Sequence, residues 1–357
     1  MKTEELDKLS TIVTCYGGSH AYGTNITTSD IDIRGIFCAD EKAIRTPFHT
    51  VREVNMDDEE DGKLYELNNF MKLYVDMNPN ILELLWVDNK SIITSSEAYD
   101  HLRSYRDQLL STKAAFTFTG YAMQQMKRIK GHNKWINNPQ EEEAPVAMNF
   151  MKHVQNLTEF KVISRDFNIS AYRYSHILVP YGGNIFGMVK VVHGMNIIAG
   201  LFNRNGSIRN MYEDLPNEIK KCKPDHIVKF CEDEYKNAKN TWKNYWKWKR
   251  ERNETRHELE ANFGYDTKHA MHIVRLMRMG EEILTTGKVN VFREDAQELL
   301  DVRNGKWTYE ELLSWAEEKD NLVRNVLYKR SDLPKQVDLN LASKVLMEVQ
   351  DMCWDKE

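Results

Sequence analysis

The sequence predicts an α+β protein in which a small mixed-sheet domain precedes a larger, mostly helical one. Three observations carry this. Short β-prone runs, one alternating with period two, lie in the first third of the chain. Beyond about residue 112 the apolar residues recur with helical spacing and glycines are few. At 357 residues the chain also exceeds the usual size of one core, which favours two domains. The expected divisions are residues 1–112, residues 113–330 and a C-terminal extension, residues 331–357.

Taken in order, Thr11 to Tyr16 is a β-prone run that ends in Gly17-Gly18, and Ile31 to Phe37 alternates like a strand with one buried face. Val51 to Met56 is a further strand candidate, followed by an acidic stretch from Asp57 to Asp61. Leu64, Leu67, Phe70, Met71, Tyr74 and Val75 share one helical face, which Asn78-Pro79 stops. Asn80 to Val87 fits a short buried helix or a strand. The later helix candidates are Phe116–Ile136, Val146–Ile163, Lys229–Glu260, Thr267–Thr286 and Asp295–Leu300, with a turn at Tyr181-Gly182-Gly183. No fixed-period repeat or low-complexity linker is visible.

Composition excludes several classes. Hydrophobic residues make up 41% and charged residues 29%, with 17 Gly and 8 Pro, so the chain is neither collagen-like nor disordered. No run of eighteen apolar residues exists to span a membrane. Charges at Lys2, Glu4, Glu5, Asp7 and Lys8 break any secretory signal pattern. A net charge of −5 provides no global attraction to nucleic acid, so any polyanion site must be a local patch. The five cysteines are widely spaced and form no C-x-x-C pair, which fits a reducing, cytoplasmic setting.

The most informative segment is Tyr16 to Phe37. Asp30 and Asp32 stand at i and i+2 on the expected strand, so their side chains point the same way while Ile31 and Ile33 face a core. Paired carboxylates repel, and a bridging divalent cation relieves that repulsion. Upstream, Gly17, Gly18 and Gly23 let backbone N–H groups approach phosphate oxygens, and the Ser19 hydroxyl can donate to a terminal phosphate. Either motif alone is commonplace: a D-x-D on a solvated strand, a Gly-Ser in a turn. Their conjunction resembles the signature of the DNA polymerase β-like nucleotidyltransferase superfamily. The wording G-S-H-A-Y-G-T with S-D-I-D-I-R-G is similar to the bacterial and phage branch that includes the RNA-ligase-associated, RNA-repair group. Asn78 to Leu85, Lys268 to His272 with Arg275-Leu276, and Gly280 to Gly287 resemble the same branch.

This resemblance implies Mg²⁺ or Mn²⁺ held by Asp30, Asp32 and a third carboxylate from a later strand. Asp61 is the candidate because the family places an acidic residue before a run like Lys63–Tyr65, with Glu66 in reserve. The phosphates of a nucleoside triphosphate would lie on Gly18 and Ser19. Arg34, on the face of the aspartates, can pair with a carboxylate or a phosphate, or be structural.

Three basic segments bear on phosphate binding. Lys127, Arg128, Lys130, His132 and Lys134 cluster at a helix end, where they equally suit the helix dipole. Lys268, His272 and Arg275 share a helical face, and the expectation is that Lys268 and Arg275 touch phosphates. A His269–His272 zinc pair lacks a visible third ligand. Trp242, Tyr245, Trp246 and Lys249 form a stripe best read as a buried helix face with a basic back, although such a mix can also stack bases. The branch's link to RNA repair implies an RNA 3′ end as acceptor of the nucleotidyl group. A protein acceptor and a non-catalytic nucleotide- or RNA-binding protein are the alternatives, and no membrane partner is expected.

Overall fold

The computed structural model describes residues 10–48, 51–56, 61–156, 161–163, 167–209, 213–252 and 254–355. The α+β class is as the sequence predicts, an N-terminal mixed sheet followed by a mostly helical C-terminal region. The chain divides into two compact units, one comprising Met1–Ile136 with Asn253–Glu357 and the other Asn137–Arg252. These limits fall elsewhere than residues 112 and 330.

In the first unit, strands β1 (Ser10–Tyr16), β2 (Asp32–Cys38), β3 (Glu53–Met56), β4 (Asp61–Glu66) and β5 (Ile92–Ser95) form a sheet in the order β3-β4-β2-β1-β5. Among the described residues of this sheet only β2 and β4 pair in parallel, which places Asp32 opposite Asp61 and Phe37 opposite Glu66. The central strand β2 is buried from Gly35 to Cys38, as an interior strand covered on both faces must be. Between β1 and β2 lies a short helix, α1 (Gly18–Tyr22), which opens at the Gly-Ser motif.

The helix expected from Leu64 begins instead at Leu67. Leu64 is fully buried inside β4, and Glu66 caps the helix α2 (Leu67–Val75) by accepting from the N–H groups of Asn68 and Asn69 at 2.8 and 3.2 Å. Asn80–Val87 proves helical: Pro79–Leu82 is α-helix with Asn78 as its cap, and Glu83–Leu85 is a 3₁₀ turn. The long helices α3 (Ala114–Asn137) and α6 (Thr267–Thr286) match the amphipathic stretches read from the sequence. Gly280 of α6 faces Phe118 of α3, where an added Cβ would stand 3.1 Å from the Phe118 Cβ. The C-terminal helix α7 (Leu339–Trp354) returns to the N-terminal sheet. Its Trp354 Nε1 donates to the Ala39 carbonyl at 3.0 Å, and Val345 and Val349 join the same core as Ile12 and Phe70.

The second unit departs from the sequence reading. Val146–Ile163, expected to be helical, contributes β6 (Met151–Asn156) and β7 (Lys161–Ile163). With β8 (His176–Gly182), β9 (Ile185–Lys190) and β10 (His226–Phe230) they build an antiparallel sheet ordered β7-β6-β10-β9-β8. Met148, Met151 and Val154 are spaced by three and imitate a helical stripe, but ladder pairing to β10 prevails, with Met151 opposite Phe230. The expected turn at Tyr181–Gly183 is a β-hairpin. Gly183 and Asn184 have φ of +57° and +63°, as a two-residue type I′ turn requires. The expected helix Lys229–Glu260 is broken into the end of β10, α4 (Glu232–Glu251) and α5 (Glu254–Phe263), the last of which belongs to the first unit. On α4, Tyr245 is buried and Trp242 and Trp246 are half-buried, both donating through Nε1 to the Glu141 carbonyl at 3.0 Å. The Trp stripe is thus largely a packing face. Among the described residues no helix is long and apolar enough to cross a membrane.

The buried cap Glu66 makes a pH prediction. Burial holds its carboxyl above the usual carboxylate value against the helix N–H bonds that pull it down. A raised folded value means that the contribution to stability is full below the unfolded carboxylate pKa and is lost as pH rises through the folded one. Glu66→Gln keeps an oxygen to accept the cap bonds and removes the ionisation. The variant is expected to gain stability over wild type as pH rises from the acid range to neutrality, as read by urea denaturation at both ends.

Candidate active site

The strand–turn–helix from β1 to α1 and the start of β2 meet edge to edge. The Gly17 N–H donates to the Asp32 carbonyl at 2.8 Å, which docks the Gly-Ser turn on the first residue of β2. Gly18 has φ +56°, and a Cβ added there would stand 2.0 Å from Asp32 Oδ2. Only glycine permits both that backbone and so close an approach of the carboxylate. Ser19 follows, half-buried, with its carbonyl accepting from the Thr24 N–H at 2.9 Å. Asp32 is half-buried as the first residue of β2, whereas Asp30 lies just before the strand and is exposed. Asp61 occupies the register position opposite Asp32, and its side chain, like the acidic residues 57–60, lies outside the described residues. Glu66 stands five residues further along β4, about 16 Å away at strand spacing, and is spent on capping α2.

Beside this junction opens a cavity of about 480 Å³. One wall is the end of the sheet, with Tyr16, Gly17, Gly18, Arg34, Lys63 and Tyr65. A second wall is the α3 face formed by Tyr121, Gln125 and Arg128, spaced by four and three. A third is α6, through His269, His272 and Arg275. Lys268 is half-buried on the same helix but is not among the lining residues. Arg34 pairs with Asp32, Nη2 to Oδ1 at 3.3 Å, and donates through Nη1 to its neighbour's carbonyl at 3.1 Å. Lys63 pairs with Glu53 at 3.0 Å. Among the cavity-lining cations, Arg128 came from the segment 127–134 read as a helix end.

Arg275 is 5% exposed and sits in a buried cluster that sequence reasoning missed. Its Nη1 donates to Glu83 Oε1 at 2.7 Å, and its guanidinium lies 3.6 Å over the Tyr22 ring. Tyr22 in turn donates its hydroxyl to Glu83 Oε2 at 2.6 Å. Burial works against the Arg275 charge, but Tyr22 and Glu83 more than offset it and hold its pKa above the ordinary value. Burial likewise pushes the Tyr22 hydroxyl well above the usual range. Glu83 was visible only as part of the Asn78–Leu85 resemblance, with no signal that it was buried against an arginine. Cys15, fully buried beside the site in β1, has its thiol pushed up to about 12 by burial and stays protonated, so it is no nucleophile.

Comparison with known proteins bears on this geometry. Residues 2–154 match the family model for the RNA repair pathway DNA polymerase beta family. The resemblance read from the Gly-Ser and Asp-x-Asp motifs is thereby borne out, and the matched stretch contains every sheet residue of the site. An uncharacterized 38.9 kDa protein of Enterobacteria phage T4 is 27% identical over 136 residues, 34% of this chain. The chain spans about 40% of that relative's length. No solved structure matches the chain significantly.

The buried cluster sets the prediction from this geometry. Glu83→Ala strands the Arg275 guanidinium in the core and is expected to cost about 3–5 kcal/mol. Replacing both partners, Glu83→Leu with Arg275→Met, is expected to recover most of that loss. Denaturant unfolding of the two variants beside wild type checks both.

Proposed function

We propose that the chain is a metal-dependent nucleotidyltransferase that moves a nucleoside monophosphate from a nucleoside triphosphate to the 3′ hydroxyl of an RNA. The observation that carries this reading is the packing of the Asp32 carboxylate against the Gly18 backbone, at the mouth of a cavity walled by Arg34, Arg128 and His272. That packing joins the phosphate-holding turn to the carboxylate strand, the two elements such chemistry needs side by side.

The residues present fit a divalent cation. Asp32 is held at a glycine where a side chain would displace it, Asp30 is exposed two residues earlier, and Asp61 shares the Asp32 register. Mg²⁺ or Mn²⁺ held by Asp30, Asp32 and Asp61 would neutralise phosphate charge and favour the ionised acceptor hydroxyl. The rest falls to the chain's own groups. Gly18 and Ser19 hold the β- and γ-phosphates through backbone N–H groups and the Ser19 hydroxyl. Arg128 and His272 supply positive or hydrogen-bonding character along the cavity wall. Arg275 shapes that wall while its charge is committed to Glu83, so its part in phosphate binding is indirect, and Lys268 flanks it. The acceptor oxygen bonds to the α-phosphorus as the bond from that phosphorus to the β-phosphate bridging oxygen breaks. The hydroxyl proton passes to a carboxylate, for which Asp61 is the choice by register, and pyrophosphate leaves.

Incubation with each of four α-labelled nucleoside triphosphates, Mg²⁺ or Mn²⁺ and a pool of small RNAs tests this. Label is expected in RNA with wild type, and at least about a hundredfold less with Asp30→Ala/Asp32→Ala, more than loss of an outer-shell partner costs. Gly18→Ala is expected to impair transfer similarly, since its Cβ collides with Asp32. Label in the protein fraction would move the reading to protein nucleotidylation. Nucleotide binding without transfer to either acceptor would leave a binding module and overturn the enzyme reading.

A further inference from the structure

The α3 face that lines the cavity through Tyr121, Gln125 and Arg128 continues one turn on to His132. There it leaves the cavity and meets two acidic residues from other elements. His132 Nδ1 lies 3.0 Å from Oε1 of Glu260 on α5, whose side chain is 3% exposed. Asp266, the N-cap of α6, is 0% exposed. One ligand atom from each of His132, Glu260 and Asp266 lies within 4.8 Å of the other two. Asp266 also accepts from the His269 N–H at 3.0 Å, and its Oδ2 lies 2.6 Å from His269 Nδ1.

We propose that His132, Glu260 and Asp266 bind a Zn²⁺-class transition-metal ion, at a site separate from Asp30 and Asp32. Four physical arguments support it. Two buried carboxylates so close together favour a cation beside them, a role that an ion bound by both would share with the His132 and His269 imidazoles. One imidazole nitrogen with two carboxylate oxygens is a donor set for zinc and its first-row neighbours, whereas Mg²⁺ takes oxygens and keeps its waters. Ligand bonds of about 2.0–2.2 Å set tetrahedral donors roughly 3.3 Å apart, which side-chain rotation reaches from the present spacing. Finally, His269 orients Asp266 from behind, as outer-shell partners orient metal ligands.

The ion would tie together α3, α5 and the start of α6. Two of these helices carry cavity walls, and His269 belongs to both the ion's surroundings and the cavity. The site therefore acts on the cavity by holding the helices and His269 in place, and it stands whether or not the nucleotidyltransferase reading does. His269 and His272, considered as a zinc pair from the sequence, are not among the three ligands proposed. The third-ligand problem is solved by residues more than a hundred positions apart, His132 and Glu260.

The test uses the full-length chain purified from zinc-supplemented culture and desalted, followed by elemental analysis. The expected result is about one zinc per chain, as for a closed three- or four-ligand site. Replacement by Co²⁺ should give the intense visible absorption of a four-coordinate ion. His132→Gln and Glu260→Gln are expected to lower zinc affinity by more than about a hundredfold, beyond the loss caused by an outer-shell change, while Asp30→Ala/Asp32→Ala retains the ion. A chelator should lower the melting temperature of wild type and leave His132→Gln unmoved. Two results would overturn the site: a folded wild-type chain that holds no zinc after zinc is supplied, meaning that His132 alone bridges the carboxylates, or zinc retained equally by both Gln variants.

Discussion

The buried Glu83–Arg275–Tyr22 cluster is the constraint on which the candidate site depends. A guanidinium taken out of water must be paired, and here one carboxylate accepts from both the guanidinium and the phenol while the ring covers the cation's face. The partners come from three places: the helix that opens at Gly18, the 3₁₀ turn after Asn78-Pro79, and the middle of α6. Tyr22 lies only three residues beyond Ser19. Pinning it pins the Gly-Ser turn against the strand that carries Asp32. The turn's position is thus set from both ends, by Tyr22 in the core and by the Gly17 N–H on the Asp32 carbonyl.

From that anchor the other parts of the site follow. The parallel pairing of β2 with β4 puts Asp61 rather than Glu66 level with Asp32, and the cap that Glu66 makes for α2 explains why an acidic residue recurs at the far end of the same strand. The α3 face brings Arg128 into the cavity and His132 just beyond it. A basic segment that looks uniform in the sequence is therefore divided between two environments, one open to the cavity and one closed around carboxylates. The Glu282–Arg293 pair, with N–O distances of 2.6 and 2.7 Å, holds the end of α6 to the following loop.

The residues that bind a reader's attention in the sequence are those whose chemistry is local. Gly18-Ser19 and Asp30-x-Asp32 lie within a short stretch, and their spacing alone points to a phosphate turn beside a carboxylate strand. The helices α3 and α6 were equally legible, because a 3.6-residue apolar period persists over many turns. The second unit's sheet was not. Its strands are short, its apolar spacing in Met148–Val154 mimics a helix, and ladder hydrogen bonds to β10 some 75 positions away decide the outcome.

By itself the sequence determined the α+β class, the polymerase β-like motif pair and the long amphipathic helices, since each is written in residues that are near neighbours along the chain. Only the tertiary structure decided that Arg275 faces Glu83 instead of open solvent, that Glu66 is a cap, and that His132 meets Glu260 and Asp266. The reason is physical. A charged side chain's role depends on what is packed against it, and burial, not residue type, selects between a partner in the core and a ligand in the cavity.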